Sequence, residues 1–177
     1  VKGALNGHPV VRFNGSAALG IPAADSPVSG QTAWTVAMVF RTGDTDHPGT
    51  DRQFFRGRAL FGAELPGVDR ADWGVTFWNE RGRILAGYGG RNAGNSDRNF
   101  ASRARDLNDG EPHILIATFD TDAGVGHVQV DGVGVPERQR ACLPATPREA
   151  MRVLIGSMNG DAFFQGDIAA FRLYGRV

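Results

Sequence analysis

The stretch "FDTDAGVGHVQVDG" (residues 119–132) places three aspartates and three glycines in fourteen positions, and two readings compete for it. Counted from Asp120, the acids have the spacing of a calcium-binding EF-hand loop. Such a loop needs Gly at its sixth position and a bidentate Glu at its twelfth, and here those positions hold Val125 and Asp131. It also needs a helix on each side. This stretch instead follows "PHILIATF" (112–119) and runs into the alternating "HVQV" (127–130). The spacing therefore predicts strand, turn, strand, and then a tight second turn at Asp131-Gly132, where Gly is free to take a positive φ.

Working outward, the same period-two pattern recurs along the chain. "AWTVAMVFR" (33–41) puts Trp34, Val36, Met38 and Phe40 on one face, with Thr35 and Arg41 on the other. Further strands are predicted at 8–15, 58–64, 73–79, 82–89, 126–132, 151–158 and 166–175. No segment carries a helical stripe; "PREAMRV" (147–153) is limited to a turn by Pro147. The fold class is all-β, a two-sheet antiparallel sandwich or jelly roll with little or no helix. Three irregular stretches, 42–57, 90–108 and 136–150, interrupt the strands, and loops of this length often carry function.

The chain has 177 residues and a formal net charge of zero, enough for a sizeable core and most simply one domain spanning 1–177. All the basic residues except Lys2 are arginine; they are scattered along the sequence and read as a coding bias. With no basic stripe, a nucleic-acid partner is not expected. No apolar run reaches the ~20 residues of a membrane span, so direct membrane insertion is not expected either. Cys142 is the one cysteine, which excludes an internal disulfide.

Four segments carry a family resemblance. "LNDGEPHILIATFDTDAGVGHVQVDGVGV" (107–135), "VLIGSMNGDAFFQGDIAAFRLYGR" (153–176), "PVVRFNGSAALGIP" (9–22) and "AWTVAMVFR" occur in the order and spacing of laminin-G-like jelly-roll domains. These belong to the concanavalin A-like lectin/glucanase superfamily. Two departures stand out: Pro112 replaces the usual Trp before His113, and the acid expected after Ile168 is replaced by Ala169, with Asp167 just before it. The resemblance implies that the first and last strands are neighbours. It also implies a module of a larger extracellular or cell-surface protein, partnered by other domains of the same polypeptide.

Candidate chemistry was weighed on residue type. Glucanases of this superfamily deliver two carboxylates from alternate residues of one strand, but of the five glutamates Glu111 alone has an acid two positions away, Asp109, and the pair sits in the turn-like "NDGEP" rather than along a strand. No nucleophile elbow or zinc-ligand spacing is present. The expectation is a non-catalytic module that binds a glycan or protein partner through rim loops; a purely structural spacer is the alternative, and a glycan-active enzyme comes last. Candidate ligand contacts are Arg91, Asn92, Asn95 and Asp97 in one polar loop, Asn159 and Asp161 in another, and Trp78, which lies five positions from Trp73 and so faces the opposite way. The resemblance also raises calcium as a cofactor. Asp44, Asp46 and Asp51 are its candidates by composition, although solvated loop acids are the preferred reading of the same residues.

Overall fold

In a computed structural model the described residues are 5, 7–46, 54–63, 72–78, 82–88, 98–134 and 152–177. They form twelve strands: β1 (Val11–Asn14), β2 (Leu19–Ile21), β3 (Ala33–Arg41), β4 (Ala59–Ala63), β5 (Trp73–Trp78), β6 (Arg83–Tyr88), β7 (Arg98–Ala101), β8 (Pro112–Asp120), β9 (Val125–Val130), β10 (Val133–Gly134), β11 (Val153–Ile155) and β12 (Gln165–Tyr174). The front sheet runs β1-β12-β3-β8-β9-β10 and the back sheet β2-β11-β4-β5-β6-β7. Neighbouring strands are antiparallel, and β1 pairs with β12, so the first and last strands do meet. Two single-turn 3-10 segments, Ala23–Asp25 and Phe54–Arg56, are the helical structure among the described residues. The expected strands are present. The stretch 90–108 is corrected in part, because Arg98–Ala101 is the edge strand β7; the stretch 136–150 lies outside the described residues.

The opening stretch is a hairpin pair. Asp131 and Gly132 both take positive φ (51° and 76°) between the paired Val130 and Val133, as a tight two-residue hairpin turn requires. The three aspartates serve this framework. Asp120 accepts from the Ala123 amide, Asp122 from the Thr32 hydroxyl and Asp131 from the Ile114 amide. The second Asp131 oxygen lies 2.7 Å from His113 Nδ1, which pins the β9–β10 turn back onto β8.

Alternation along β3 and β8 sends Trp34, Val36, Met38, Phe40, Leu115, Ala117 and Phe119 into the space between the sheets, all essentially without exposure. Trp34 and Phe119 are directly opposed across the ladder and stack at 4.9 Å. Trp73 of the back sheet meets both edge-on, at 5.4 and 5.8 Å. Phe100 reaches Phe119 through the gap left by Gly126, the residue paired with Phe119 on β9. A second aromatic cluster fills the other end of the core, where Phe77 stacks on Phe164 and packs edge-on to Phe40, and Phe164 meets Phe13. Such ring pairs add about 0.5–1.5 kcal/mol each beyond burial.

The outer face of the back sheet is closed by the chain itself. Gly62, Gly74 and Gly87 lie side by side in one cross-strand row and form a trough without side chains. Met158 fills it over Gly62 and Gly74, and Phe54 fills it over Gly87, so closely that a Cβ at any of the three would clash. Over these three glycines the face is therefore occupied.

Truncating the central ring should show how much the sandwich depends on it. Phe119→Ala is expected to cost about 3–5 kcal/mol in chemical denaturation, against little change for the exposed Val133→Ala.

Candidate functional site

Among the described residues the front sheet carries an open cleft of about 560 Å³ at the end where β1, β12 and β3 run side by side. Its floor follows from register. Arg12 pairs with Asp167, and Asp167 with Arg41, across three adjacent strands. Phe13, Ile168 and Phe40 next to them point into the core, so by period two these three charged residues point outward. A bulge between Ile168 and Ala170 then resets the alternation of β12.

Asp167 is buried, with its side chain 5% exposed, while Arg12 is 56% exposed. Arg12 Nε donates to Asp167 Oδ1 at 2.8 Å and Nη2 to Oδ2 at 3.1 Å; Arg41 Nη2 donates to Oδ2 as well. The carboxyl is held below the usual carboxylate range. The Arg12 hydrogen bond contributes most, burial opposes it, and Arg41 reinforces it. Asn14, Thr42, Asp44 and Gln165 line the walls. Thr42 Oγ1 donates to the Gln165 carbonyl and accepts from the Asp44 amide, tying wall to floor.

Arg58 organises the neighbouring loop. Its Nε lies 2.9 Å from Asp44 Oδ2, its Nη2 donates to Asp46 Oδ2 at 2.7 Å, and its Nη1 donates to the Phe163 carbonyl. The Nε proton is aimed at the Asp46 carbonyl, so the pairing with Asp44 is coulombic. As placed, the two acids are both paired with the Arg58 guanidinium. Among the described residues no three His, Cys, Asp or Glu side chains converge on a metal position. Asp51, the third candidate, lies outside the described residues.

Of the expected ligand contacts, Arg91, Asn92, Asn95 and Asp97 lie outside the described residues. Asn159 and Asp161 sit in the turn that carries Met158, where Asp161's amide donates to Asn159 Oδ1; both serve the turn itself. Trp78 faces away from the core, as its spacing from Trp73 predicts, but the Arg83 guanidinium stands over its ring at 4.7 Å. None of these three lines the cleft. Arg12, Asn14, Arg41, Gln165 and Asp167 were not among the sequence candidates. Arg41 was visible as a charge on the solvent face of β3, and Asp167 as the displaced acid of the last strand. Nothing in the linear order brings them to Arg12, which the fold sets beside both.

A family model, Laminin_G_3 of the concanavalin A-like lectin/glucanases superfamily, matches residues 13–177. The chain belongs to this family. No curated protein matches the chain in sequence. Among solved structures, this laminin-G-type domain is similar to domains LG4-5 of the mouse laminin α1 chain (TM-score 0.63, 20% identity, 93% of this chain and 40% of that one). It is also similar to the CBM40 of the Ruminococcus gnavus IT-sialidase (0.69, 11%, 95% and 90%) and to domain 4 of an extracellular GH43 arabinanase from Geobacillus stearothermophilus (0.60, 18%, 93% and 69%). The chain thus spans under half the length of the mouse laminin chain it matches. At these identities the likeness shows the fold, a jelly-roll sandwich.

Two outcomes follow from the site's electrostatics. Because Asp167 titrates lower when folded than unfolded, its stabilisation is complete above pH ~3.9 and is lost as pH falls further. Thermal melts of the wild type should show this loss, and Asp167→Asn should show a flatter acid limb and a neutral-pH deficit of about 1–3 kcal/mol. Melts in chelator and in excess calcium should coincide while Arg58 holds Asp44 and Asp46; a rise of several degrees with calcium would refute this.

Proposed function

We propose that this domain is a non-catalytic recognition module that binds carbohydrate in the cleft formed by β1, β12 and β3. The observation that carries the reading is a cleft whose polar side chains are fixed by the sheet and face solvent, while the glycine trough of the back sheet is filled by Met158 and Phe54. Preorganised polar groups on rigid strands bind at low entropic cost. Solved relatives of the fold support it: the R. gnavus CBM40 has been seen with sialyllactose and the arabinanase domain with arabinotriose. Those two belong to carbohydrate-active enzymes, so a binding role appended to a larger extracellular or surface protein fits this chain as well. Among the described residues no helix is long and apolar enough to cross a membrane.

A protein partner is the second reading, and one surface favours it. Ile114 and Ile116 are exposed on the outer face of β8, beside Val39 and Ala37 of β3. This apolar strip lies next to the cleft on the same sheet.

The test is a panel of oligosaccharides titrated against the domain by calorimetry, with chemical-shift mapping of the residues that respond. Shifts at Asn14, Arg41 and Gln165 are expected. Shifts confined to Ile114 and Ile116 on addition of a protein ligand would favour the second reading, and silence across the glycan panel would refute the first.

A further inference from the structure

The hydrogen-bonding inventory of the cleft is one-sided. Each guanidinium carries five N–H groups. Arg12 engages two of its own with Asp167 and Arg41 engages one, and neither arginine has another hydrogen-bond partner among the described residues. The rest are unengaged, and both side chains line the cleft. The side-chain acceptors there are nearly all taken. Asp167 Oδ1 receives one hydrogen bond and Oδ2 two. Asn14 Oδ1 accepts from the amide and hydroxyl of Ser16, which leaves its amide nitrogen as a donor. Thr42 Oγ1 accepts from Asp44, while Asp44 itself accepts from the Asp46 amide and faces Arg58. Gln165 Oε1 is the side-chain acceptor left open to a ligand, since Asp44 Oδ2, which accepts no hydrogen bond either, is buried against Arg58.

A neutral sugar's hydroxyl oxygens can accept from these guanidiniums, but its hydroxyl protons would find few side-chain acceptors in the cleft. A carboxylate or sulfate group only accepts, and its oxygens match the fork of a guanidinium. Within the lining, Arg12 and Arg41 flank a single carboxylate, and the remaining acid on the wall, Asp44, is turned to Arg58, which also holds Asp46 outside it. The cleft volume of about 560 Å³ lies within the ~300–1,000 Å³ of small-ligand sites.

We infer that the cleft takes an oxyanion-bearing saccharide, with the carboxylate or sulfate group held by the unengaged N–H groups of Arg12 and Arg41. This rests on the carbohydrate reading above and narrows its ligand class. Asp167 is then a positioning residue: it orients both guanidiniums and cancels one of their two charges.

The test titrates the intact domain with trigalacturonate, with a sulfated disaccharide and with neutral arabinotriose, by calorimetry and by following the arginine Nε–H resonances. Binding of at least one anionic sugar is expected, with shifts of the Arg12 and Arg41 Nε–H signals and an affinity that falls as salt rises. Arg12→Gln should weaken it about tenfold or more without altering the melt by more than a few degrees. Preference between the first two sugars distinguishes carboxylate from sulfate. Should the variant fail to fold, the wild-type Nε–H signals decide by themselves. Arabinotriose binding in the cleft as tightly as either anionic sugar would overturn this inference and leave the carbohydrate reading standing. No binding of any of the three would overturn both.

Discussion

The stack of Trp34 on Phe119 is the constraint on which the sandwich depends. The two rings lie opposite each other on neighbouring strands of the front sheet, and Trp73 of the back sheet closes over both. Three large rings from three strands meet at one point, so the sheets can approach in one register. A one-residue slip of β3 or β8 would turn Trp34 or Phe119 to solvent and bring Arg41 or Asp120 inward. Phe100 can complete the cluster because Gly126 stands beside Phe119. A close-packed interior propagates such constraints, since any void or overlap is felt by the neighbours.

The second aromatic cluster ties this core to the cleft. Phe13, Phe40 and Phe164 lie directly beneath the row Arg12–Asp167–Arg41. Their anchoring fixes the backbone from which the charged side chains rise. A buried carboxylate is costly unless it is paired and hydrogen-bonded, and Asp167 meets that condition through two guanidiniums. The consequence is reciprocal: the arginines that make Asp167 tolerable are themselves held in place, with their remaining donors aimed at solvent. Pairing therefore leaves behind a preorganised donor set.

The two outer faces of the sandwich have different fates, and both follow from small features. On the back sheet a row of three glycines creates a trough, and the chain fills it with its own Met158 and Phe54. On the front sheet a bulge in β12 lets Asp167 face outward between two arginines. A jelly roll is compatible with adhesion, sugar binding or catalysis, so the role of this domain is carried by how these faces are furnished.

Much of the fold was legible in the sequence. The alternation in "AWTVAMVFR" and "PHILIATFD" announces strands with one apolar face, and Asp131-Gly132 announces a tight turn, because both signals are local consequences of backbone geometry. Edge strand β7 escaped notice because four polar-rich residues, "RNFA", carry little pattern of their own and are held by pairing with β6. Asp44 and Asp46 are calcium candidates by composition, with solvated loop acids the preferred reading; their pairing with Arg58, twelve residues beyond Asp46, is not visible in the linear order. The cleft was the least legible part. Arg12, Arg41 and Asp167 lie in three separate strands, each ordinary by itself. The sequence alone determined which residues face the core and which face solvent, because side-chain direction in a strand alternates with period two. The tertiary structure decided which outward charges meet, because that depends on strand order and register across the sheet, and those are set by packing in the core.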